Sequence, residues 1–129
     1  MDRDLWILIA RIALSTVYLY SGFDKLICWN DGLKFCLKHK MPQPKTVLAV
    51  TAVLHVVCGL MVLLGFYTRF GAVVLLLFTI VATYWVHNPL GRTGDDFRRE
   101  MMISFEHLAI IGGLLLIAVT GPGAFALMP

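Results

Sequence analysis

The chain has 129 residues, of which 59% are apolar and only 15% charged, with 11 Lys/Arg against 8 Asp/Glu. Soluble domains carry about a quarter charged residues and under half apolar ones. This balance, with a mean hydropathy of +0.81, excludes a soluble globular domain, a disordered chain and a nucleic-acid binder. The length fits one domain, residues 1–129. Three cysteines, an odd count without CxxC or zinc spacing, argue against a disulfide framework.

Four apolar runs follow in order. Leu5–Phe23 holds a single charge, Arg11. Thr46–Tyr67 and Phe70–His87 hold none apart from histidine, and Met101–Thr120 is interrupted by Glu106 and His107. Crossing a ~30 Å hydrocarbon core takes about 20 apolar residues in a helix, and backbone in lipid must satisfy its own hydrogen bonds. The expected fold is therefore all-α. It is an integral-membrane, antiparallel four-helix bundle with helices at about residues 5–27, 46–67, 70–87 and 101–120. A soluble bundle needs a charged stripe on every helix, and helices two and three have none. The first run contains Arg11 and lacks a small-x-small cleavage site, so it is expected to stay in the membrane and not to be removed as a signal peptide.

Between helices one and two lies Cys28–Lys45. There Asp31 is placed to cap a short interfacial helix with Leu33, Cys36, Leu37 and Met41 on one side and Lys34, Lys38 and Lys40 largely on the other. The Pro42-Gln43-Pro44 turn is expected to end it. Helices two and three are separated by little more than Thr68–Arg69 and form a hairpin. The last link, Asn88–Glu100, is polar. Lys25, Lys34, Lys38, Lys40, Lys45, Arg92, Arg98 and Arg99 fall on the side of the two long loops, against Arg3, Arg69 and Arg11 on the other. The excess predicts cytoplasmic loops and both termini outside. Cys28 and Cys36 are then expected as free thiols in a reducing compartment.

Helix one carries Arg11, Ser15, Tyr18, Gly22 and Lys25 at steps of four and three, all on one face. Two readings are open: a polar interior, or Arg11 and Lys25 each snorkelling to its own interface. His55 lies about 13 Å along helix two, and Glu106 and His107 about 8–9 Å along helix four, entering from the same side. Glu106 shares its face with Ala109 and Gly113 and is expected to point into the bundle, where Arg11 or Lys25 would pair with it. His87 ends helix three. Lys25, His55, His87, Glu106 and His107 are thus candidates for one inward-opening cavity or proton relay, since ionisable groups at membrane depth usually face a cavity or a partner. His55 and His107 are expected to approach each other. They would serve as metal ligands with His87 or Glu106 as a third, or as a simple hydrogen-bonded pair. No phosphate loop, HExxH or GxSxG motif is present.

Three stretches then resemble the DoxX family of small four-helix membrane proteins. They are Arg11-x10-Gly22-Phe23-Asp24-Lys25-Leu26, the run Gly59–Phe70 with Gly65-Phe66-Tyr67-Thr68-Arg69, and Gly112-Gly113 running to Thr120-Gly121-Pro122-Gly123-Ala124. The Met41-Pro42-Gln43-Pro44 turn fits as well. The resemblance implies a bacterial inner-membrane protein and a small subunit of a quinone-linked redox system, with an oxidoreductase complex as its setting. It also implies that family members often carry glutamate where His55 stands and asparagine where His107 stands. Quinone is the implied cofactor; a metal or b-type haem on His55 and His107 is an alternative. Besides the lipid bilayer, a protein partner or a homo-oligomer is expected. A non-catalytic assembly protein is the competing reading.

Overall fold

A computed structural model describes residues 3–87 and 90–127. Among them are five helices: α1 (Arg3–Ile27), α2 (Trp29–Lys38), α3 (Pro44–Leu64), α4 (Thr68–Val86) and α5 (Gly94–Thr120). Of these, α1, α3, α4 and α5 are long and apolar enough to span a membrane. The architecture is the expected helical membrane bundle with a short amphipathic helix between the first two spans.

Local chemistry sets the boundaries. Pro44 opens α3 at its first turn, where a missing N–H costs nothing. Gly65, at φ 75°, closes α3, and its N–H and that of Phe66 both bond to Met61 O. Tyr67, also left-handed, leads straight into α4. The last helix begins seven residues before the expected start at 101. Asp95 and Asp96 occupy its first turn, where carboxylates complement the helix dipole. An apolar run marks where a helix enters lipid, not where its hydrogen bonding begins. Asp31 is likewise not a cap: α2 starts at Trp29 after Cys28 and places Asp31 inside its first turn. Nor does Pro42 end α2, which stops at Lys38.

α1 packs along α3, and α5 along α4. Contacts between α3 and α4 join the two pairs, whereas α1 and α5 touch only over a short stretch. Lipid gives helices no hydrophobic reason to associate, so close approach at small residues carries the packing. Gly22 shows this: a Cβ there would lie 2.6 Å from Val56 Cγ2 of α3. The core combines Tyr18, Cys58, Val62, Ala72, Leu75, Leu114 and Ile117. The interfacial helix buries Cys36 and leaves Lys34 and Lys38 exposed, as its pattern predicts, but Leu37 is exposed too.

Candidate functional site at the loop end of α4 and α5

The polar groups of the bundle fall into three places. At the end shared by the α3–α4 turn and the two termini, Arg11 is fully buried. Its guanidinium donates from one terminal nitrogen to Phe125 O, while Nε and the other terminal nitrogen have no partner. The segment after α5 is tied down around it. Ala124 N–H donates to Asp4 Oδ1 (3.1 Å) and Leu127 N–H to Leu64 O (3.0 Å). Arg11 therefore neither snorkels outward nor pairs with Glu106. It is a pin between α1, the α3 C-terminus and the last segment, placed where the negative end of the α3 dipole favours a cation.

In the middle of the bundle, Ser15, Tyr18 and Gly22 of the α1 stripe are buried, and Lys25 is half-buried with its ammonium on Ser21 Oγ at 2.6 Å. His55 is buried between the edges of Tyr18 (ring centroids 5.3 Å apart) and Phe78 (4.8 Å). Neither of its ring nitrogens has a partner. A threonine ladder on α4 ties the neighbouring spans together. Thr79 gives its hydroxyl proton to Leu75 O (2.7 Å), so Tyr18 must donate to Thr79 Oγ1 (2.5 Å). Thr83 gives its proton to Thr79 O (2.6 Å), so His107 Nδ1 must donate to Thr83 Oγ1 (2.7 Å). His107 is thereby fixed as the tautomer whose Nε2 carries the lone pair.

The third place is where α4 ends and α5 begins. His87 caps α4, and its Nδ1 lies 2.8 Å from Glu100 Oε2. Arg92 donates to Glu100 Oε1 (3.1 Å) and to Val86 O (3.3 Å). Ser104 donates to His87 O (2.9 Å), and the rings of His87 and His107 meet edge to face at 5.3 Å. A carboxylate on one nitrogen orients an imidazole and leaves the other free to exchange a proton. Thr83, His87 and Ser104 also line a groove of about 400 Å³ whose accessible surface is almost wholly apolar, with Ile80, Phe105, Leu108 and Ile111 among its lining residues.

Two expectations are corrected. Glu106 is exposed and does not point into the bundle. It has no hydrogen bond or ion pair among the described residues, and the buried carboxylate is Glu100, which the sequence had assigned to a loop. Small neighbours such as Ala109 suggested an inward face, but they lie where α1 and α5 barely meet. The expected His55–His107 pair does not form either. No hydrogen bond or ring contact joins them among the described residues, and their helices, α3 and α5, do not pack on each other. The helical rise fixed their similar depth; it could not reveal that they sit diagonally. Among the described residues, no group of three or more His, Cys, Asp or Glu side chains is placed to hold a metal.

Outside the spans, burial pushes the Cys36 thiol up from its ordinary range, against the opposing pull of the Lys25 ammonium. It is a packing thiol.

Comparison with known proteins places this architecture. The DoxX family model matches residues 6–88. The inner membrane protein YphA of Escherichia coli (strain K12) is 30% identical over 125 residues, covering 97% of this chain and 89% of that protein. The inner membrane protein YqjF of the same strain is 27% identical over 125 residues, covering 97% of this chain and 91% of that protein. No solved structure matches the chain. With the spans, the glycine turn and the family match in agreement, the chain belongs to the DoxX family of membrane proteins.

Proposed function

We propose that this chain is a small inner-membrane subunit of a quinone-linked redox system, and that its part is to hold a quinone in the α4–α5 groove and to exchange protons with it. One observation carries the reading: His87, held by Glu100, is among the residues that line an open and almost wholly apolar groove. A bound quinone supplies the two-electron, two-proton carrier, and a partner subunit supplies the electrons. His87 transfers the proton, because a neutral imidazole both gives and takes one near neutral pH. Glu100 orients the ring through Nδ1, and Arg92 holds the other carboxylate oxygen in place. Thr83 offers a hydroxyl oxygen, held in place by its bonds to Thr79 and His107. His55 and Tyr18 lie deeper and serve the bundle's interior.

The excess of Lys and Arg in the two long loops supports a cytoplasmic location for this site, with both termini outside. The inner-membrane relatives support the compartment. The test is extraction of gently solubilised protein followed by mass spectrometry. Quinone is expected to copurify with the native chain and to be lost from His87→Ala, while Asp96→Ala retains it. Native protein that is folded and free of quinone, and does not bind added ubiquinone or menaquinone, overturns the reading.

A further inference from the structure

Arg11 is a fully buried cation whose one partner among the described residues is a neutral carbonyl, Phe125 O. Its Nε and Nη1 have no acceptor. Asp4, seven residues earlier on the same helix, gives its Oδ1 to Ala124 N–H and makes no ion pair with Arg11. A guanidinium does not lose its proton in a protein, so neutralisation by deprotonation is closed to it. A buried charge left without a counter-charge is costly.

A second unpartnered group lies at the same level. A Cβ on Gly71 of α4 would sit 3.2 Å from Met61 Cβ of α3, so these two residues are level. One turn further out, α3 ends at Gly65 and α4 begins at Thr68. Arg11 Nη1 fills the place that a Cβ on Gly65 would take, which brings the guanidinium to this turn. Thr68 is only 2% exposed, and its hydroxyl has no partner. It stands at the first position of α4, a helix with no side-chain cap, whose first backbone bond runs from Gly71 N–H to Tyr67 O (3.1 Å). The amides of Thr68, Arg69 and Phe70 precede that bond and are the free donors of a helix start, where an anion is favoured. A buried cation, a buried hydroxyl and an uncapped helix N-terminus thus meet at one end of the bundle, and no carboxylate answers them.

We infer that Arg11, Thr68 and the first turn of α4 form a binding site for a small monovalent anion of the size of chloride. Water could accept the free hydrogen bonds but would leave the charge of Arg11 uncompensated; one monoanion does both. Enclosure sets the size. Arg11, Gly65 and Thr68 are all buried, and the segment after α5 is tied over them through Phe125 O, Ala124 N–H and Leu127 N–H. A lipid headgroup with its acyl chains is too large for such a place. The site is at the opposite end of α4 from His87, so it stands or falls independently of the quinone reading.

The experiment is a chloride titration of purified protein in detergent, with chloride replacing gluconate at constant ionic strength. Thermal unfolding and chloride NMR line broadening are read together. The native chain is expected to gain thermal stability saturably and to broaden the chloride line. Thr68→Val should raise the half-saturating chloride concentration about tenfold, the size of losing one hydrogen bond to a charged group. Thr16→Val, which removes an exposed hydroxyl bonded to Ile12 O on α1, should leave it unchanged. Arg11→Gln should abolish the broadening, and where that variant fails to fold Thr68→Val decides alone. Folded native protein without a saturable chloride response overturns the inference, and so does a response that Thr68→Val leaves unchanged. A response to inorganic phosphate or to added phosphatidylglycerol in place of chloride also overturns it.

Discussion

His87 and Glu100 meet at 2.8 Å across the junction of α4 and α5, one capping a helix and the other in the second turn of the next. Glu100 is almost enclosed, and its two oxygens are divided between His87 and Arg92. A carboxylate in this position depends on its partners, because burial without them is costly. Glu100→Ala is therefore expected to lower stability in detergent by about 1–3 kcal/mol, less than a fully buried pair because His87 and Arg92 stay partly exposed. Asp96→Ala, which removes an exposed pair with Arg99 and one of two first-turn carboxylates, should cost less, about 1 kcal/mol. Thermal unfolding of the two variants side by side checks the difference.

The bond between Tyr18 and Thr79 couples α1 to α4. A double-mutant cycle with Tyr18→Phe and Thr79→Val should return a coupling of about 0.6 kcal/mol and no more than about 1.7, the range seen for polar contacts between membrane helices. Strictly additive losses would show that the hydroxyls do not bond.

Arg11 holds the last segment to the bundle through Phe125 O. Arg11→Ala is expected to cost about 1.5–3 kcal/mol, as for a hydrogen bond from a charged donor. It should also expose residues 121–127 to protease before the helices unfold. An unchanged cleavage pattern would separate Arg11 from that segment.

His55 has two buried nitrogens with no partner, an arrangement that lowers stability. His55→Leu is expected to leave thermal stability equal or raise it by about 1–3 kcal/mol. A clear loss of stability would mean that the imidazole satisfies a buried group in the membrane.

Cys28 is exposed at the loop end, and Cys36 is buried there with its thiol pushed up. In whole cells an impermeant maleimide should label neither. After lysis Cys28 should react first. Only the thiolate reacts, so the Cys36 rate should climb about tenfold per pH unit until its raised pKa is passed. Labelling of Cys28 without lysis would reverse the orientation.

The four spans were legible because a bilayer imposes a length and an apolar composition that any 20-residue window reveals. The α3–α4 turn was legible for a local reason: Gly65 provides the left-handed residue that ends one helix beside the next. The buried α1 stripe followed from a spacing of three and four. What the sequence could not supply was the angular position of each helix around the bundle. Glu106 and Ala109 fall on the open α1–α5 seam, and His55 and His107 stand on helices that do not touch, although their depths agree. Glu100 was missed because hydropathy marks the lipid boundary, while α5 begins earlier, at Gly94, in polar residues that favour a helix start through charge and not through hydrophobicity. Depth along a span is a property of one helix and is written in the chain; which groups face one another depends on how helices far apart in sequence pack, and only the tertiary structure decides it.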